Sequence, residues 1–501
     1  MQLAHSSLTG KKLTVAAVAV ALATFMAVLD TTIANVSLPA IAGDMAVPPH
    51  QGTWVLIVFI IASVITLPLT GWLTQRFGMA RLFVYSVWGF TLTSLMCGLA
   101  QTFEILLFSR FLQGAVSGPM IPLSQALLLS IYPKEKAGQA LAIWSMTAVV
   151  APVLGPICGG IITDEYSWPW IFYINVPVGV FVALVCWHIF RFRETPTQKL
   201  PVDIMGLILL AVWVCALQVM LEKGLELGWF SSDIILLLAA VALFGFLAFV
   251  VWELNHPLPI VQLRLFSRRS FSLSVISLGV GYGLFLASVV VLPLWLQTFM
   301  GYTATWAGYA TAPIGVLAVV LSPWVGRQVG KIDSRILASA SFIIFIVAML
   351  MRTRYNVEAD LLTIMLPQII QGAAIALFFA PLTNLSLNGL KSNEIPLASG
   401  LSNFTRITCG AIAISISMTF WDTRAAFHYS RIMESINIER LNNFHGNIIF
   451  SSAPEASVIE KMVHEQATIL SMNDFFYIQS IGFMFLILIT WGIPSPQTRR
   501  A

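Results

Sequence analysis

The stretch ATFMAVLDTTIANVSLPAI, residues 23–41, is apolar apart from one carboxylate, Asp30. Two arginines stand in comparable surroundings, Arg110 in LFSRFLQGAVSGP and Arg406 in SNFTRITCG. A charge at the centre of a bilayer costs roughly 2.5–3.5 kcal/mol on the gentlest scale, so isolated charges in such runs call for a use. A carboxylate there can take up and release a proton. Burial favours its neutral form and a nearby guanidinium its charged form. Water access that changes sides would load the proton on one face and discharge it on the other. The competing role for Asp30 is architectural, holding a helix pair together by hydrogen bonds. Ala23, Ala27, Ala34 and Ser37 share its face at helical spacing, a strip of small residues suited to a wet cavity or a close helix. Arg110 keeps its proton throughout and can bind a carboxylate, a carbonyl or water. Gly114 and Gly118 lie on its face and permit a neighbouring helix to come close.

The elements that must position these charges follow from composition. Of 501 residues, 58% are hydrophobic and 10% charged, which places the chain in a membrane. Apolar runs of about 20 residues, the length that crosses a bilayer core, recur from Leu13 to the C-terminal region, and fourteen are expected. The first is expected to be a retained helix, because no small-residue cleavage site follows it. All five cysteines fall within expected spans as apolar filler, and no disulfide or metal framework follows from them. With both termini on one face, that face carries 18 basic residues and the other 7, Arg352 at the end of the eleventh run among them, leaving Arg110 and Arg406 inside. By the positive-inside rule both termini are cytoplasmic. The net charge of +4 is then a topology signal and gives no hint of nucleic-acid binding.

The chain echoes itself. RFLQGAVSGPMIPL in the fourth run is matched by QIIQGAAIALFFAPL in the twelfth, aligning Gln113-Gly114-Ala115 with Gln371-Gly372-Ala373, and GWLTQRFGMAR after the second run is matched by GRQVGKIDSR after the tenth. Both echoes are displaced by eight helices. Two six-helix halves, residues 1–195 and 266–501, separated by a linker and two inserted helices at 196–265, account for that displacement, and secondary transporters are often built from such repeats. Substrate would bind between the halves. Segment 422–474, rich in charge and asparagine, is expected to be an extracytoplasmic loop, serving either as a tolerated excursion or as a docking surface.

Four segments, LDTTIANVSLP (29–39), LFSRFLQGAVSGP (107–119), APVLGPICGG (151–160) and WPWIFYINVPVG (168–179), together resemble one family. It is the fourteen-helix branch of the major facilitator superfamily, the drug:H⁺ antiporters of the EmrB/QacA type, with EmrB-like multidrug exporters the nearest subgroup. The resemblance implies an all-α integral membrane protein with the major facilitator fold, six plus six helices and two inserted between them. It implies proton-coupled multidrug efflux across the bacterial inner membrane. It assigns proton coupling to Arg110, which with Asp30 forms the expected coupling pair, and it makes Gly155, Pro156, Gly159 and Gly160 the antiporter motif. It also implies a periplasmic adaptor (membrane fusion protein) and an outer-membrane channel as partners. Two positions depart from the pattern: the family's acidic residue in the loop after the second span is Gln75, and the leading glycine of the antiporter motif is Ala151. The first leaves that loop without the carboxylate a charge relay would use.

Gly155 and Gly159 form a small-xxx-small pair around Pro156, expected to govern packing and sealing rather than contact with substrate. Energy supply is read by elimination. No phosphate-binding G-x-x-x-x-G-K-[ST] loop occurs, the nearest being Gly326 to Lys331. A proton falling through 100 mV releases roughly 2.3 kcal/mol, so antiport driven by the proton gradient, without a cofactor, is the economical reading. Met26, Thr31, Asn35, Gln113, Trp144 and Arg406 are the candidate cavity-lining residues, with flexible and aromatic walls suited to lipophilic molecules. One aspartate and two arginines favour neutral or anionic amphiphiles over dications. An exporter of a specific metabolite, fatty acid or siderophore remains the alternative. A membrane enzyme would need clustered histidines, carboxylates or a nucleophile with its base, and none stands out.

Overall fold

A computed structural model describes residues 8–133, 136–198, 201–356, 359–391, 394–435 and 453–494. In hydrocarbon every backbone polar group must be satisfied within its own segment, and a helix does this. A helix accordingly covers each of the fourteen expected runs. In chain order they are α1 (Gly10–Val36), α2 (Trp54–Thr66, continued after a bend by Thr70–Phe77), α3 (Met79–Gly98), α4 (Phe103–Ile131), α5 (Ala137–Glu165), α6 (Asn175–Phe190) and α7 (Ile204–Lys223). Then follow α8 (Asp233–Asn255), α9 (Arg269–Thr298), α10 (Ala304–Thr311 and Ile314–Gln328), α11 (Ser334–Arg352), α12 (Leu361–Leu387), α13 (Ile395–Ser435) and α14 (Ala453–Trp491).

Among the described residues eleven helices are long and apolar enough to cross a membrane, twelve when the two pieces of α2 are taken as one span bent by 61°. Pro68 lies at that bend, where it removes a helix hydrogen bond. The other two are α3 and α5. Helix α3 is more polar because it buries Thr91, Thr93 and Ser94, whose hydroxyls donate to Val87, Gly89 and Phe172 carbonyls. Its first turn is capped by Glu194, just after α6, whose carboxylate accepts from the Ala80 and Arg81 amides at 3.1 and 2.9 Å. An acid distant in sequence thus stands beside a loop that has Gln75.

The helix pairings repeat at the displacement the sequence echo suggested. Helix α5 packs on α1, where a Cβ at Gly155 would lie 2.0 Å from Thr32 Oγ1. Helix α13 packs on α9, where a Cβ at Gly283 would lie 2.8 Å from the Cys409 carbonyl. Helix α4 packs on α2 through Gly114, against the Phe59 carbonyl, and α12 packs on α10 through Gly372, against the Ile314 carbonyl, at 2.3 and 2.2 Å. At Gly114, Gly283 and Gly372 a side chain is missing because another backbone occupies its place, and at Gly155 the Thr32 side chain does.

Two further approaches join the first six helices to the last six. Gly71 of α2 meets Leu397 of α13, where Gly400 also lies against the Leu67 carbonyl; Gly138 of α5 meets the Gly326 carbonyl of α10. Both sit at the ends nearest the face from which α1 starts. At the other end of the α5–α10 contact the approach is looser, where a Cβ at Gly308 would lie 3.8 Å from the Ile157 side chain. Inserted helix α7 lies along α2 and α13, its Trp213 ring 5.8 Å from Phe404. Helix α8 shows Leu237, Leu243 and Phe244 outward, as a lipid-facing helix does.

Segment 422–474 differs from expectation. Residues 422–435 continue α13 and 453–474 belong to α14, so these parts are helical; 436–452 lie outside the described residues. Charges on a helix that runs on past its apolar part give the same composition as a loop.

Gly114→Val is expected to cost roughly 1–3 kcal/mol of packing and lower the thermal midpoint of the purified protein. Gly160→Ala, with nothing within 4 Å of its Cβ position, should not lower it. Scanning fluorimetry in detergent compares the two.

Candidate functional site

Asp30 is 2% exposed and accepts from three side chains. Arg110 Nη1 of α4 donates to Oδ2 at 2.6 Å; Gln113 Nε2 of α4 and Asn175 Nδ2 of α6 donate to Oδ1 at 3.1 and 2.8 Å. The two expected coupling charges therefore form one buried ion pair. Helical spacing explains why Arg110 and Gln113, three residues apart, reach the same carboxylate. Arg110 Nη1 also donates to Gln113 Oε1 at 2.8 Å, and Asn175 Nδ2 to Ser94 Oγ at 3.0 Å.

Arg110 has anchors that do not depend on Asp30. Its Nε donates to the Val55 carbonyl at 3.1 Å, and the guanidinium carbon lies 4.3 Å from the Phe59 ring centre and 5.4 Å from that of Phe172. Neutralising Asp30 would remove the ion pair and leave the cation held in place. Asn175 lies within the WPWIFYINVPVG segment but was given no role from sequence; a neutral amide gives no signal of its own until the fold brings it to the carboxylate.

The other expected residues divide. Gly155 and Gly159 lie against Thr32 and Ile33, directly after Asp30 on α1; Gly160 meets nothing, and the side chain of Pro156 lies outside the described residues. Thr31 is half-buried and bonds back to its own helix, while Asn35 is exposed. Met26 and Trp144 are buried in the packed core of the first helices, and the Trp144 ring also faces Arg406. Trp144 Nε1 donates to Ser124 Oγ at 3.2 Å, and Ser124 accepts from Thr24.

Arg406 is 4% exposed. No carboxylate pairs with it among the described residues. Its guanidinium lies 5.5, 4.9 and 5.6 Å from the rings of Trp144, Tyr282 and Phe379, so aromatic faces from α5, α9 and α12 enclose the cation. Its Nε is buried without an acceptor.

One buried charge was misplaced by sequence. Arg352, assigned to the outer face by its position at the end of α11, is fully buried. It donates to Gln371 of α12, whose amide donates to Ser288 of α9 at 3.1 Å, and it lies 5.2 Å from the Phe476 ring. Gln371 is the echo partner of Gln113, so each half carries an arginine–glutamine contact. Among the described residues a carboxylate joins that contact only in the first.

Helices packed pairwise in a repeated pattern, with charges buried between them, define a multi-pass membrane protein built like a secondary transporter. The sequence pattern of the Major Facilitator Superfamily matches residues 20–414. "Multidrug export protein EmrB" of Haemophilus influenzae is 42% identical over 97% of this chain and 97% of its own, and "Fatty acid resistance protein FarB" of Neisseria gonorrhoeae is 42% identical over 98% of each. The human organic anion transporter MFSD10 has the same fold, with a TM-score of 0.56 at 15% identity, covering 95% of this chain and all of that one. The chain belongs to the major facilitator superfamily, in its EmrB-like group.

Asp30→Asn strands a buried cation, and losing one partner of a buried pair costs about 3–5 kcal/mol. Arg110→Gln combined with Asp30→Asn should be less destabilised than the sum of the two single changes. A double-mutant cycle of thermal or denaturant stability measures that coupling; additive losses would show the pair to be energetically independent.

Proposed function

We propose that this transporter is a proton-coupled exporter of lipophilic, predominantly neutral or anionic, compounds across the bacterial inner membrane, with both termini cytoplasmic. The observation that carries the reading is the Asp30 site, a carboxylate that can change charge, gripped by Arg110, which cannot. Protonation of Asp30 breaks the ion pair while the Val55 carbonyl and the Phe59 ring retain Arg110. Helix α1 is then held at this point only by neutral hydrogen bonds, and its next residues, Thr32 and Ile33, bear directly on Gly155 and Gly159 of α5. The same helix α5 closes against α10 at Gly138. A proton arriving at Asp30 thus acts on a helix that forms the seal between residues 1–195 and 266–501. The tight contacts at the terminal face and the exposed Asn35 beyond Asp30 support an outward-facing arrangement, in which the proton enters from outside.

Arg406 supports the substrate class. A cation enclosed by three rings and unmatched by a carboxylate attracts the anionic head of an amphiphile, and the rings suit its apolar body. The 42% identity to a relative named for fatty acid resistance favours the second reading, an exporter dedicated to fatty acids. An adaptor and an outer-membrane channel belong to the proposal through the family alone.

In proteoliposomes Asp30→Asn should abolish uphill export driven by a pH gradient, yet retain downhill exchange of substrate. Retention of gradient-driven export by that variant would refute the coupling role. Arg406→Gln should weaken export of a lipophilic weak acid about tenfold, the order expected for a desolvated charge contact, and weaken a neutral lipophile less. Equal losses for both would remove the charge-recognition reading.

A further inference from the structure

A second cleft lies apart from Asp30 and Arg406, where α9 ends and where α13 and α14 carry charged residues past their apolar parts. Its volume is about 870 Å³, within the range of small-molecule sites. Four rings run through its lining in sequence: Trp421 lies 5.9 Å from Phe299, Phe299 5.8 Å from His464, and His464 6.4 Å from Tyr429. Leu294 and Met418 extend the apolar wall. Two carboxylates, Asp422 and Glu460, complete the lining, and no ion pair engages either among the described residues. Lys461 is the one lysine or arginine in the lining and faces Glu465 at 4.0 Å. The indole Nε1 of Trp421 is buried without an acceptor.

Helical spacing builds the cleft. Trp421, Asp422 and Tyr429 recur along one face of α13, and Glu460 and His464 are one turn apart on α14. Aromatic faces attract an organic cation by their quadrupole, more strongly the less water surrounds it, and carboxylates at the rim add direct attraction. This is the reverse of Arg406, which offers rings and a positive charge. We propose that the cleft binds amphiphiles bearing a single ammonium head, with the head at Asp422 among the rings and the tail along Leu294 and Met418. The site is independent of the export reading. The same head chemistry is found in free cationic amphiphiles and in an aminophospholipid headgroup.

The test uses the full-length protein in dodecyl maltoside micelles, which carry no ammonium group, titrated calorimetrically near neutral pH with octyltrimethylammonium. Saturable binding is expected, about tenfold weaker in Asp422→Asn and weaker also in Tyr429→Leu, with the thermal midpoint of Asp422→Asn unchanged so that unfolding is not the cause. Octanesulfonate, with the same tail and an opposite head, should not bind there. Added phosphatidylethanolamine that displaces the probe assigns the site to lipid, and failure to displace assigns it to free amphiphiles. Equal affinity of the parent and Asp422→Asn, or equal binding of octanesulfonate, would overturn the proposal.

Discussion

The structure depends on one constraint: a carboxylate taken out of water must be fully matched by donors or be protonated. Asp30 meets it with an arginine, a glutamine and an asparagine drawn from two other helices. Those donors fix how α1, α4 and α6 stand relative to one another. The match is complete only for the charged form. A proton on Asp30 converts a strong charge-assisted contact into ordinary hydrogen bonds, and the helices it organised gain freedom. A charge that was merely structural would be better replaced by apolar packing, which is often more stable than a buried ion pair.

Around that site, missing side chains matter as much as present ones. Gly114, Gly283 and Gly372 each leave room for a neighbouring backbone and Gly155 for the Thr32 side chain, and Gly114 and Gly372 do so at corresponding places in the two repeats. Close backbone approach makes the helices move as units, because no long side chain can flex between them. The repeats differ where chemistry is concerned. Arg110 faces Asp30, Arg352 faces only neutral groups, and Arg406 faces aromatic rings. One fold template thus carries a buried carboxylate–arginine pair in one half and positive charge against neutral groups and rings in the other.

Much of the fold was legible in the sequence because the bilayer enforces it: a run of about twenty apolar residues has no alternative to a helix. Asp30 and Arg110 stood out for the same reason, as charges in places that penalise them, whereas Gln113, expected along a cavity wall, is buried against Asp30. Asn175 was not, since an amide near the start of a span looks like an interfacial residue until α6 packs on α1. Arg352 was misread because counting basic residues by position assumes that the end of a span meets water, whereas α9, α12 and α14 cover it. Burial of Met26 and Trp144 was not legible, because composition cannot tell a side chain that lines a space from one that fills it. The helical continuation of α13 and α14 through most of 422–474 was hidden because charge excludes a residue from the bilayer without excluding it from a helix.

The central claim is that Asp30 itself changes protonation while the protein works. Infrared difference spectroscopy of the protein in liposomes, recorded as the outside pH is lowered, reads this directly. The account predicts a carbonyl stretch of a protonated carboxylic acid that grows with acidification, shifts in H₂O/D₂O exchange, and is missing in Asp30→Asn. An identical band in parent and variant, or no titrating band in either, would contradict it.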